Sequence, residues 1–191
     1  MRLILRLAFL SHVAGALLMI AAGGFLPLLT GSALLGIGNG LVQGACNPLV
    51  ATLYPGRTTE KMNHLHAWFP GGIVIAGLIC FGLDASGWNP PCLWQIKLGL
   101  ILLPTLAYGL LFTGQQFPTT ERVKAGVSFG GMFAATFTSG IFLVLAVCMV
   151  MTASIELGPN SWVSAILASA GIPGILVLVW ITGLMFVVRQ F

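Results

Sequence analysis

The sequence predicts an all-α integral membrane protein with six transmembrane helices, and three observations predict it. Hydrophobic residues make up 58% of the 191 positions and charged residues only 6%, against roughly 25% charged in an ordinary soluble domain. Mean hydropathy is +1.02. The apolar residues are also gathered into runs of about 20, the length a helix needs to cross a bilayer.

Taken in order, the predicted spans are Leu5 to Phe25, Pro27 to Tyr54, Leu65 to Leu83, Leu93 to Phe112, Gly131 to Ile155 and Val163 to Val188. The start "MRLILRLAFL" has the basic opening of a secretory signal. Its apolar run exceeds the ~7 to 15 residues of such a signal, so a span is expected instead. Almost no loop separates the first two spans, and their division at Gly23 to Pro27 rests on length and on proline's aversion to helix interiors. Pro48, Pro104 and Pro173 are expected to kink their helices, and "ELGP" is expected to end the fifth span.

Charge sets the expected orientation, because cytoplasmic loops collect Lys and Arg. Arg2, Arg6, Arg57, Lys61, Arg122, Lys124 and Arg189 fall on one side of this arrangement and Lys97 alone on the other. The N-terminus, the second and fourth connections and the C-terminus are therefore placed in the cytoplasm, with the chain a multi-pass protein of the plasma (inner) membrane. The net charge of +4 forms no clustered basic face of the kind nucleic acids need. Cys46, Cys80 and Cys148 lie in apolar stretches and Cys92 in a loop, without the CxxC spacing of metal or redox sites. His64 and His66, two apart, point away from each other on a helix, so neither metal nor cofactor is expected. No GxSxG, HExxH or pair of intramembrane aspartates marks an enzyme.

The polar residues inside the spans carry the functional signal. In "GIGNGLVQGACNPLV", Asn39, Gln43 and Asn47 recur every fourth residue, drifting only about 40° per step around a helix and so sharing a face. An unsatisfied amide in hydrocarbon costs several kcal/mol. The three are expected to border a hydrated path or ligand surface, with interhelical bonding the plainer alternative. Amides offer donors and an acceptor together, which suits sugars and other polyols, and equally peptide-like or zwitterionic solutes. Gly36, Gly40 and Gly44 form a ridge expected to pack against a neighbouring helix, next to Pro48.

Glu156, at the end of the predicted fifth span in "TASIELGPNSWV", is the one acid lying in or against an apolar span. An ionisable residue there is by default a functional candidate, as proton carrier or gate; the alternative is a position at the water boundary. Asn160 and Trp162 follow it, the tryptophan being either an interface anchor or a platform for a sugar ring. Asn63 and His66 are placed to close the cytoplasmic end of the third span. His12, beside Ser11 early in the first span, is placed to bond a neighbour, and nothing more specific follows.

The run "GIGNGLVQGACNPLVATLYP" followed by "NHLHAWFPGG" resembles the fourth and fifth helices of major facilitator superfamily transporters, especially the fucose, galactose and glucose proton symporters. "IELGPNSW" resembles the start of their second half. The resemblance implies that Gln43 is the counterpart of a sugar-contacting or protonatable residue, with Asn47 and Pro48 the Asn-Pro beyond it. Glu156 and Trp162 take the acid and aromatic positions near the seventh helix. It also implies a partial bundle, the third to eighth of twelve helices. Residues 1–113 would be the last four helices of the first half, 114–130 the cytoplasmic inter-half loop, and 131–191 the first two helices of the second half.

Two departures limit it: an amide at position 43 cannot carry a proton, and Pro70 and Gly71 stand where a relative presents an amide. The function implied is that of a fragment of a secondary active transporter, moving a small polar solute, a sugar first, with a proton or other coupling ion. Its partners would be the lipid bilayer and the missing helices. The alternative is a channel or membrane scaffold subunit acting with partner chains, although neither rings of charge nor a repeated carbonyl filter is present.

Overall fold

A computed structural model describes residues 1–190, apart from the side chains at 129 and 161. Among the described residues there are helices and no strand: α1 (Arg2–Ile20), α2 (Phe25–Leu53), α3 (Thr58–Ala85), α4 (Leu93–Gly99), α5 (Leu102–Leu111), α6 (Glu121–Lys124), α7 (Phe129–Thr138), α8 (Gly140–Ser169) and α9 (Gly174–Val188). Five are long and apolar enough to cross a membrane, namely α1, α2, α3, α4 with α5 taken together, and α8; α9 is apolar but shorter. Large apolar side chains such as Leu3, Phe25, Ile141 and Val188 stand exposed along them, an arrangement compatible with a membrane bundle. Packing groups the chain into two units, Met1–Met62 with Leu83–Pro118, and Asn63–Gly82 with Thr119–Phe191. The middle of α3 thus belongs with α8 and α9.

In the first unit, α1 buries Leu5, Ala8, His12 and Gly15 at alternating steps of three and four, and α2 buries Gly31, Gly38 and Ala45, seven residues apart. Seven residues return to nearly the same helix face, within ~20°. The approach is close: a methyl group added at Gly15 would sit 2.8 Å from the Gly31 carbonyl oxygen, and one at Gly38 would sit 2.7 Å from His12 Cδ2. The expected packing ridge of Gly36, Gly40 and Gly44 meets no neighbouring helix among the described residues. Those three face open space, since two residues beyond Gly38 the helix has turned by ~200°. Pro48 lies inside α2 without ending it.

Pro104 has the expected effect. Its ring has no N–H and crowds the carbonyl four residues earlier, that of Leu100, and there the helix divides into α4 and α5. Leu100, Ile101 and Leu103 bond instead to carbonyls three residues back, at 3.2, 3.1 and 3.2 Å.

The second unit departs from the predicted spans. Pro159 lies inside α8 and does not end it, because the preceding Gly158 has no Cβ to clash with the proline ring. The helix instead ends at Gly171, whose φ of 76° suits glycine. There Ile172 N–H donates to Leu167 O at 2.9 Å and Gly171 N–H to Ala168 O at 3.1 Å, the paired bonds of a Schellman stop. Pro173 follows and caps α9 rather than kinking it. At the other end, the Ser139 hydroxyl accepts from Phe142 N–H at 3.3 Å and splits the expected fifth span into α7 and α8. A methyl at Gly71 would meet the ring of Phe186 at 2.9 Å, and Trp68 meets the same ring edge-on with centroids 5.5 Å apart, so α9 packs on the middle of α3.

Replacing Gly15 by Ala presses a methyl onto backbone and should cost about 1–3 kcal/mol. Gly40→Ala, with open space for its methyl, should instead stabilise by up to about 1 kcal/mol. Unfolding of the two variants in detergent micelles checks the contrast.

Candidate functional site

Most hydroxyls in the helices are satisfied locally. Thr30, Ser32, Thr52, Thr105 and Thr182 each donate to a carbonyl of their own helix at 2.7 to 2.9 Å, a bond that short side chains reach without a neighbour. Imidazoles and amides reach further and need partners on other helices. That need selects the site.

His12 is only 7% exposed, in the apolar middle of α1. Its Nδ1 lies 2.8 Å from the Tyr108 hydroxyl of α5 and its Nε2 3.1 Å from Asn39 Oδ1 of α2, so three helices meet at one ring. Since Oδ1 only accepts, Nε2 carries a proton and donates it. In the neutral ring, Nδ1 accepts from the Tyr108 O–H; on protonation, Nδ1–H donates and the phenolic oxygen accepts. Only the hydroxyl rotates between the two states. Tyr108 and Phe9 brace the site with rings 6.1 Å apart, edge to face.

Asn39 thus uses its oxygen inward, while its residue stands at the exposed edge of α2. Gln43 is exposed and makes no hydrogen bond among the described residues, and Asn47 is half-buried with an Oδ1 that has no partner there. The three amides share a side of α2 with the open glycines Gly36, Gly40 and Gly44. This strip is polar and narrow on an otherwise apolar helix. The Asn39 oxygen is anchored on His12, Gln43 is exposed, and the Asn47 Oδ1 is buried without a partner among the described residues.

In the second unit, Glu156 of α8 lies with its Oε1 3.6 Å from Arg189 Nη2, while Arg189 Nη1 donates to the backbone carbonyl of His66 in α3 at 3.3 Å. One guanidinium therefore joins α3, α8 and the end of α9. Asn160, one turn beyond Glu156, is half-buried, Trp162 is 67% exposed, and Asn63 is exposed at the start of this stretch of α3. Glu156 and the backbone carbonyl of His66 are brought together through Arg189.

Comparison of the chain with protein-family models, with curated proteins and with solved structures gives no match. Two residues of the site escaped the sequence, His12 in its role and Tyr108 altogether. The available signal was the spacing of Leu5, Ala8, His12 and Gly15, which puts an ionisable group on the packing face of an apolar helix, a default functional candidate. Tyr108→Phe should weaken the first unit by about 0.6 to 1.7 kcal/mol, the range for hydrogen bonds between apolar helices. A double-mutant cycle with His12→Ala, read by unfolding, should recover a coupling of that size.

Proposed function

We propose that the chain is part of a membrane-embedded secondary active transporter that moves a small polar solute, a sugar being the first candidate, by coupling to protons. The observation that carries the reading is the His12 site. A buried imidazole that keeps both hydrogen bonds in either charge state can load and release a proton. It is bonded directly to the first amide of the strip Asn39, Gln43 and Asn47, so the charge of the ring alters how that amide is held. Solute hydroxyls bonded by Gln43 and Asn47 would then feel the state of His12 through Asn39. Glu156, Arg189 and the His66 carbonyl act as a gate, because an ion pair a third exposed on each side contributes little to stability and breaks readily. Asn63, Asn160 and Trp162 border that gate.

A scaffold or channel subunit remains the second reading, favoured by α8, none of whose described side chains is buried. Saturable flux driven by a proton gradient separates the carrier from the channel.

His12→Gln preserves hydrogen-bonding groups but cannot bind a proton. In vesicles carrying the complete transporter it should abolish accumulation against a gradient while leaving solute exchange. Accumulation at the wild-type level would remove His12 from the coupling step. Gln43→Ala should raise the KM for uptake about tenfold, the equivalent of one hydrogen bond near 1.4 kcal/mol, and an unchanged KM would move the solute elsewhere.

A further inference from the structure

In the first unit a cavity of about 430 Å³ opens between the N-terminal end of α1, the end of α5 and the segment that follows it. Arg2 and Arg6 stand at it, one helical turn apart on the same face. The wall is aromatic: Phe9 lies 6.1 Å from Tyr108, Tyr108 6.1 Å from Phe112, and Phe112 5.9 Å from Phe117, centroid to centroid. Arg2 is anchored by Nε, which donates to Gln115 O at 3.1 Å, leaving its terminal nitrogens free to bind.

The charges there are uncompensated. Of the four acids in the chain, Glu60 pairs with Arg57 and Lys61, Asp84 with Lys97, and Glu156 with Arg189, while the fourth, Glu121, does not line the cavity. No ion pair among the described residues involves Arg2 or Arg6. Two guanidinium groups without a carboxylate, beside a greasy aromatic wall, call for an occupant that is anionic at one end and apolar at the other.

We infer that this cavity binds an anionic phospholipid, its phosphate held by Arg2 and Arg6 and one acyl chain laid along Phe9, Tyr108 and Phe112. Guanidinium groups bind phosphate through paired hydrogen bonds. Basic pockets at the cytoplasmic ends of membrane helices are where anionic headgroups are recognised. The volume falls among small-molecule pockets, ~300–1,000 Å³, so a single chain enters and the other stays in the bilayer. A free phosphate would leave the aromatic wall bare, and a neutral lipid would leave the cations unpaired. The inference needs the membrane location proposed above and is independent of transport.

The test is lipid retention by the purified full chain in neutral detergent, read by native mass spectrometry with phosphatidylglycerol and phosphatidylcholine at equal concentrations. The native chain should retain phosphatidylglycerol preferentially. Arg2→Gln with Arg6→Gln should weaken that binding about 30-fold, each cation near a lipid surface being worth roughly a factor of five, with phosphatidylcholine unaffected. Leu106→Trp, which fills the cavity and keeps both arginines, should also release the lipid. It supplies the second arm if the double variant fails to fold. Arg57→Gln removes a cation elsewhere and should change nothing. Equal retention of the two lipids, undiminished binding in either cavity variant, an equal loss in Arg57→Gln, or displacement by millimolar inorganic phosphate would each overturn the proposal.

Discussion

The ring of His12 lies over the bare backbone of Gly38, and the first unit is organised around that contact. Helices in an apolar medium gain nothing from hiding apolar side chains from each other, so they associate through close van der Waals contact and through polar bonds. Gly15, Gly31 and Gly38 supply the first by letting α1 and α2 approach until a methyl would collide. The approach then supplies the second. Only at this separation does an imidazole on α1 reach Asn39 of α2 on one side and Tyr108 of α5 on the other. A bulkier residue at position 38 would displace the ring and lose both bonds, so the glycine and the histidine act as one device.

The remaining polar groups sort by how far their side chains reach. Hydroxyls disappear into their own helices by bonding backward to carbonyls, which is why Thr105 and Thr182 can be buried, at 4% and 1% exposure, without a tertiary partner. Amides cannot do this as easily. Asn47 Oδ1 and Gln95 Oε1 are buried without a partner among the described residues, and an orphaned polar atom costs about 1–3 kcal/mol. Gln43, one turn before Asn47, is exposed instead and carries no such cost.

What the sequence disclosed follows from which signals are local. Span existence was legible because apolar length is a property of one segment, and the first four predicted spans overlap α1, α2, α3 and the α4–α5 pair, although α3 begins at Thr58, well before the predicted Leu65. The break at Pro104 was legible for the same reason. The ridge Gly36, Gly40 and Gly44 meets no helix among the described residues, because a small-xxx-small pattern says that some helix can approach and not that one does; the heptad Gly31, Gly38 and Ala45 is equally present. Pro159 misled because its effect depends on its neighbour, and Gly158 removes the Cβ that would have forced a break. The stop that operates, at Gly171 with Pro173 behind it, carries a complete C-terminal signature in the sequence. Nothing local announces Tyr108, since its role is conferred by a partner 96 residues away.

The extended α8 alters the electrostatics of the second unit. Ending the fifth span at Ile155 would set Glu156 and Arg189 at opposite ends of the last helix, and the acid would stand alone on the face with the fewest cations. Because α8 runs on to Ser169 and α9 returns antiparallel over only fifteen residues, the chain instead folds Arg189 back to the level of Glu156. From Glu156 to Ser169 is ~20 Å of helix and from Gly174 to Arg189 ~22 Å, so the two climbs match and the pair closes. A carboxylate more than a dozen residues inside an apolar helix needs a counter-charge, and the one cation beyond α9 meets that need. With each side chain about a third exposed, the pair escapes the full desolvation cost that a buried ion pair must offset, so it contributes little to stability while still neutralising the acid inside the helix.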